Sequence, residues 1–281
     1  MRDIPASDIT ALVARLYQDA NFNLPSDVIG ALEGALLEEK SLTGIEVLET
    51  LLKNAGIAAR KRVPLCQDTG LAVVFAEVGR DVHITGSTPQ EAVDEGVDQA
   101  RREGHLRASI VSDPCFDRVN TGTNAPAMLH LELVPGDSVK ISVLPKGAGS
   151  ENMSRTAMLK PADGPDGIIR FAVDTVEAAG ANPCPPVFLG IGVGGSMDRA
   201  ALLAKKALLR PAGEAHIDPR LGGLEQKIMD AVNDLGIGPG GFGGVVTCLG
   251  VAIEEYPCHI ATLPVAVNIQ CNSARRASGR I

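Results

Sequence analysis

The apolar residues change period along the chain, and that change limits the fold more than any single motif. Ile9, Leu12, Val13, Leu16 and Tyr17 share one face of a helix that Ser7 can cap, and a second helical period runs from Leu42 to Ile57. From Leu71 to Val78 the run becomes continuous and strand-like. Thr88-Pro89-Gln90-Glu91 then makes a capping box with Pro at the first helical position, which predicts a helix ending near Gly104. Leu129, Leu131 and Leu133 alternate with His130 and Glu132 before Pro135-Gly136-Asp137 turns the chain into Val139, Ile141 and Val143, and this reads as a β-hairpin. A helix is expected from about Gly167 to Ala179, then a strand from Pro186 to Ile191, a Gly-rich turn and a helix through Leu209. Val245 to Ile253 and Ile260 to Ile269 read as buried strands. The expected fold class is therefore α/β, with mixed sheets, an antiparallel hairpin and a helical N-terminal region. Without repeats or a Ser/Pro-rich linker, a single unit over residues 1–281 is the simplest organisation, with 1–60 as its helical part.

Composition narrows the partners. A formal charge of −8 and the lack of any basic block argue against nucleic acid, which needs clustered Lys and Arg, and weakly against a membrane surface. No apolar run has the length of a membrane span, and Met1-Arg2-Asp3-Ile4-Pro5 lacks the regions of a signal peptide, so a cytoplasmic location is expected. With 31 Gly, 18 Pro, two Tyr, six Phe and no Trp, the chain has many tight turns and few of the aromatic anchors that dominate protein-binding surfaces. A small polar ligand reached by backbone loops suits it better.

Two glycine loops invite an anion. Gly190, Gly192 and Gly195 have dinucleotide-fingerprint spacing between a strand and a helix, but the acidic strand end that fingerprint needs about 20 residues on is missing. Close strand-to-helix packing, or a helix start aimed at another anion, remain as readings. Lys146-Gly147-Ala148-Gly149-Ser150-Glu151 reads equally as an anion-binding turn and as plain turn chemistry. Gly238 to Gly244 reads as a flexible or closely packed loop.

Six cysteines, at 66, 115, 184, 248, 258 and 271, include no CxxC pair. The usual zinc and thioredoxin signatures are thereby absent, and a cytosolic setting excludes structural disulfides. Cys248, inside Val245-Val246-Thr247-Cys248-Leu249, reads as a core residue, while Cys115 and Cys258 take no clear role. Cys66, Cys184 and Cys271 each sit where an element meets a turn, and two of them have Pro within two residues. On these grounds alone the three can share a metal or be unrelated.

PLCQDTG, KGAGSENMS, NPCPPVFLGIGVGG and HIATLPVAVNIQC occur in that order between about Ala59 and Arg276. The set resembles the α subunit of the iron–sulfur class I fumarate hydratase and L-tartrate dehydratase family. The resemblance implies that Cys66, Cys184 and Cys271 ligate a four-iron, four-sulfur cluster, leaving one iron without a protein thiolate. An open coordination position is what catalytic metal sites keep. A cluster that only staples the fold or carries electrons would want a fourth ligand, and Cys258, the only nearby thiol, lies outside the family pattern. The implied reaction is reversible hydration of fumarate to L-malate, with L-tartrate dehydration as the alternative.

Residue by residue, Asp68 matches the family's acid, and Gln67, Arg107, Gly149 through its N–H, and His259 match positions that contact the dicarboxylate substrate. Bland alternatives stand beside them: an Asx-turn for Asp68, a surface Arg for Arg107, a satisfied buried His for His259. His83, His105, His130 and His216 receive no role. Asn272-Ser273 departs from the Trp-Ala of many relatives after the third cysteine, which puts local packing in question. The base that removes the carbon-bound proton belongs, in this family, to a region absent before Ile281, so a β subunit and an α2β2-type assembly are expected. Aerobic preparations of such an enzyme should be colour-poor and weak. The competing classes are a non-catalytic iron–sulfur protein on the same scaffold and a nucleotide-dependent oxidoreductase.

Overall fold

The helical and strand-like periods of the sequence become alternating elements in the computed structural model, which describes all residues from 1 to 281. In chain order the elements begin with β1 (Arg2–Pro5), α1 (Ala6–Phe22), α2 (Ser26–Glu38), α3 (Leu42–Lys61), β2 (Leu71–Gly79), β3 (Val82–Thr85) and α4 (Pro89–Gly104). They continue with β4 (Met128–Val134), β5 (Val139–Lys146), α5 (Ala148–Glu151), β6 (Arg155–Leu159) and α6 (Gly164–Ala179). The last are β7 (Val187–Gly194), α7 (Met197–Ala207), α8 (Pro219–Asn233), β8 (Cys248–Tyr256), β9 (Leu263–Gln270) and β10 (Ala277–Arg280). The fold is mixed α/β, and no helix is long and apolar enough to cross a membrane. Contacts group the chain into two compact units: Met1–Pro25, Asn54–Ala148 and Arg275–Ile281 form the first, Ser26–Lys53 and Gly149–Ala274 the second.

The first unit is built on a four-stranded sheet in the order β10-β5-β2-β4. Leu12, Val13 and Leu16 of α1 and Val93 and Val97 of α4 pack with Val74 and Ala76 of β2 and Ile141 and Val143 of β5. Each such Val, Leu or Ile side chain, removed from water, contributes about 1.5–3 kcal/mol. The capping box at Thr88 is present as expected, with the Thr88 hydroxyl accepting from the Glu91 N–H and the Glu91 carboxylate accepting from the Thr88 N–H. Ser7 caps nothing: α1 starts at Ala6, and Pro5, at φ −62° and ψ 137°, makes the step from strand to helix.

The expected hairpin is replaced by another arrangement. β4 and β5 are joined by the Pro135–Asp137 turn, yet β2 lies between them, parallel to β4 and antiparallel to β5. The reason lies in burial. β2 is apolar on both faces and nearly all buried, and an inner position also pairs its backbone groups on both edges. β4, half exposed along its length, takes the edge.

The second unit has a sheet in the order β6-β9-β7-β8, with β7 parallel to β8 and antiparallel to β9. Ile191, Val267 and Ile269 bury one face under Ile168 and Val176 of α6 and Ile228 and Val232 of α8. On the opposite face α7 packs through Ala200 and Ala204 against Ala266. β8 starts at Cys248 and not at Val245, because the N–H groups of Val245 and Val246 bind the Glu39 carboxylate at 3.0–3.1 Å and are lost to the ladder. β9 starts at Leu263, since residues from His259 to Thr262 form a turn closed by the Thr262 N–H on the His259 carbonyl at 2.9 Å.

Candidate functional site

In the first unit, Cys66, Gln67 and Asp68 occupy the turn that feeds β2. The Cys66 thiol donates to Gln67 Oε1 at 3.4 Å, and its sulfur accepts the Asp68 N–H at 3.4 Å. Asp68 Oδ1 accepts the Gly70 N–H at 2.9 Å, which is the Asx-turn alternative realised. Its other oxygen, Oδ2, accepts the Ala148 N–H at 2.9 Å, so the carboxylate also joins this turn to the start of α5. Gly70 is required here: at φ +77° a Cβ would sit 2.5 Å from the Lys146 carbonyl.

Behind the turn is a polar network that sequence reasoning missed. Asn124, with no exposed surface, donates through Nδ2 to the Gly70 carbonyl and to the Tyr17 hydroxyl, each at 3.1 Å. Its Oδ1 accepts the Ser109 N–H at 2.7 Å and thereby fastens the segment bearing Arg107. Burial pushes the Tyr17 hydroxyl well above its ordinary pKa, so it remains a neutral donor and acceptor. Arg275, 1% exposed, donates to Asn21 Oδ1 at 2.8 Å. The left-handed backbone of Asn124, at φ +59°, is a signal that the sequence Thr121-Gly122-Thr123-Asn124 offered, since Asn tolerates that region better than most residues. Arg107 itself is exposed and makes no ion pair.

In the second unit, the Cys184 turn is hydrogen-bonded to Asn272, the residue after Cys271. Cys184 is exposed and left-handed, at φ +55°. For such a residue that backbone costs on the order of 1–3 kcal/mol and persists only where its surroundings hold it. Its carbonyl accepts from the Asn272 side chain at 2.8 Å and from the Asn272 N–H at 3.4 Å. The departure at Asn272-Ser273 thus fills the local packing with hydrogen bonds. Gly149 is the second residue of the one-turn α5, and a Cβ there would lie 3.3 Å from the Asn182 carbonyl, two residues before Cys184. Glu151 of the same turn is ion-paired to Lys205 and accepts from Asn268 at 3.0 Å.

His259 is exposed, which excludes the satisfied buried histidine. Its Nδ1 accepts the Ala261 N–H at 3.1 Å, so in the neutral ring the proton sits on Nε2. Cys258 and Cys115 are exposed, the former donating to the Thr262 carbonyl at 3.3 Å. Cys248 is core, as expected, and burial pushes its thiol up to about 12.

The glycine loops resolve toward packing. A Cβ at Gly190 or Gly192 would meet the Ala204 or Ala200 carbonyl at 2.0 Å, so these glycines let α7 lie directly on β7. Gly244 is equally confined, with the Glu39 carboxylate 2.6 Å from where its Cβ would be. Lys146 ends β5 fully buried, with no surface from which to meet a solvent anion.

The donor set can be tested against the cluster that the resemblance implies. Neither unit contains three His, Cys, Asp or Glu side chains arranged to hold a metal ion. A cluster asks for something different, with each thiolate on its own iron, and therefore spaces its ligands more widely than a single ion does. None of the three cysteines is in a disulfide, and each is exposed or half-buried. Gln270, one residue before Cys271 and 1% exposed, has both amide atoms without a protein partner. A buried donor of that kind suits a site carrying sulfide and thiolate acceptors. The residues fit.

A mixed α/β fold with exposed or half-buried thiols near its strands and, in the first unit, a carboxylate held by two backbone N–H groups is in keeping with a lyase. The description Fumarate hydratase (Fumerase) matches residues 10–280, and the chain belongs to this hydro-lyase family. A Methanocaldococcus jannaschii protein named provisionally as L(+)-tartrate dehydratase subunit alpha is 42% identical over 277 residues, covering 97% of each chain. The L(+)-tartrate dehydratase subunit alpha of Escherichia coli strain UTI89 is 33% identical over 97% of this chain and 90% of its own. That of strain K12 is 32% identical over 96% and 89%.

Proposed function

We propose that the chain, as one functional domain over residues 1–281 with 1–60 as its helical part, is the α subunit of an L(+)-tartrate dehydratase. The observation that carries this choice is the naming of relatives that align over nearly their full length at 32–42% identity. It favours the tartrate alternative over the fumarate reading that the motifs first suggested. Fumarate–malate hydration stands second, supported by the description of the family itself.

In this reading Cys66, Cys184 and Cys271 hold a four-iron, four-sulfur cluster. When bound, the cluster supplies an iron free of protein thiolate as a Lewis acid toward the leaving hydroxyl. Asp68 donates the proton with which that hydroxyl departs as water, from a carboxyl whose position two backbone N–H groups fix. Gln67, Arg107, the Gly149 N–H and the Nε2–H of His259 bind the carboxylates, a local set of donors working against an overall charge of −8. A β subunit supplies the base for the carbon-bound proton, in an α2β2-type assembly.

The test is an anaerobic assay of this chain purified with its β partner, using L(+)-, D- and meso-tartrate, L-malate and fumarate. Release of the 2-oxo acid from L(+)-tartrate at a kcat/KM well above that for malate or fumarate is expected. Preference for malate and fumarate would return the assignment to fumarate hydratase, and activity of the α chain alone would remove the shared site.

A further inference from the structure

Asn272 is 8% exposed, and both of its donors meet a single acceptor, the carbonyl of Cys184, at 2.8 Å from Nδ2 and 3.4 Å from the backbone N–H. The orientation of the amide is set independently: Ser273 Oγ donates to Asn272 Oδ1 at 3.1 Å, so the nitrogen is the atom left to face Cys184. The rest of the Cys184 turn is held from other directions. The Cys184 N–H binds the Ala181 carbonyl at 3.1 Å, and the next carbonyl, of Pro185, accepts from Gly240 at 2.8 Å. The hydrogen bonds that tie the Cys184 peptide to the Cys271 segment both come from Asn272.

We infer that Asn272 is a positioning residue that sets the Cys184 thiolate against the Cys271 thiolate for a shared metal cluster. The inference rests on the proposed ligand set. A rigid inorganic group offers each thiolate one iron at a fixed place, so two ligands on separate segments bind well only if their backbones keep a fixed offset. Cys184, left-handed and solvent-exposed, has no side-chain packing to provide that offset. Asn272 provides it by bridging one residue from the second ligand to the backbone of the first.

The experiment uses the full-length chain, rebuilt anaerobically with ferrous iron and sulfide, as wild type and as Asn272→Ala, Ser273→Ala and Asn272→Gln. Iron content, visible absorbance and bleaching by a ferrous chelator report on the cluster. In the metal-free chain, alkylation of Cys184 relative to exposed Cys115 reports on the turn itself. Asn272→Ala should weaken cluster retention about 10–100-fold, the usual effect of removing a partner of a metal ligand, and should speed Cys184 alkylation. Ser273→Ala should act in the same direction and less strongly, while Asn272→Gln, keeping the donor, restores part of the retention. Ser273→Ala stays informative if circular dichroism shows that Asn272→Ala does not fold. A wild-type cluster that all variants hold with unchanged spectrum and bleaching rate overturns the inference alone. A wild-type chain that takes up no cluster overturns the ligand set, and the inference with it.

Discussion

Asn124 donates from a fully buried amide to the carbonyl of Gly70 at 3.1 Å. Because its oxygen also takes the Ser109 N–H, one side chain couples the turn of Asp68 to the segment of Arg107. Asn124→Ala would leave the Ser109 N–H without its partner and the Gly70 carbonyl with only the Tyr17 hydroxyl at 3.4 Å, and a buried group left unsatisfied costs about 1–3 kcal/mol. Urea unfolding should therefore show a loss of about 1–3 kcal/mol, and in the assembled enzyme KM should rise more than kcat falls, since Arg107, the proposed carboxylate ligand, is displaced.

Asp68→Asn separates chemistry from binding. The amide oxygen can still accept from Gly70, at the loss of the Ala148 N–H bond, but the side chain can no longer supply the proposed proton. Turnover of the assembled enzyme should drop by about 10²–10⁴, with cluster absorbance retained and KM little changed. An unchanged kcat would leave Asp68 with its structural role only.

Glu39 carries a pH signature. Burial alone would raise its carboxyl, but the N–H groups of Ser41, Val246, Val245 and Lys40 outweigh that and hold it below the ordinary value of 4.5. A lowered folded pKa means that the unfolded chain binds the proton first on acidification. The stabilisation is full above about pH 4.5 and fades as pH falls through the folded value. In denaturant titrations the wild type should exceed Glu39→Gln in stability at pH 7 and lose that margin as the pH is taken below 4.5.

Gly192→Ala tests the packing of α7. The new methyl would fall 2.0 Å from the Ala200 carbonyl, and backbone cannot rotate away as a side chain can. A destabilisation of about 3 kcal/mol or more is expected by chemical denaturation. Spectral titration with NAD should show no binding to the wild type, in keeping with a turn used for packing.

Much of this was readable in advance because it is local. The capping box at Thr88, the buried β2 and the core position of Cys248 follow from spacing within a few residues. The pairing of β4 and β5 was misread because a turn sequence specifies a reversal of the chain and says nothing of a third strand entering between. The partners of Asn124 lie 15, 54 and 107 residues away, and those of Glu39 up to 207, so no window along the chain could reveal them. Asn272 drew attention as a departure from relatives, but its hydrogen bond to a residue 88 positions earlier needed coordinates.

Strand β10 has a consequence for how the protein is made. The first unit takes in both Met1–Pro25 and Arg275–Ile281, and β10 covers the outer edge of β5 from Val143 to Lys140. During synthesis β5 leaves the ribosome long before β10 does. Throughout that interval the nascent sheet presents a row of unpaired backbone groups to any extended peptide nearby. Protection of that edge waits on β10, and the newborn chain stays open to mispairing there until that strand has been made.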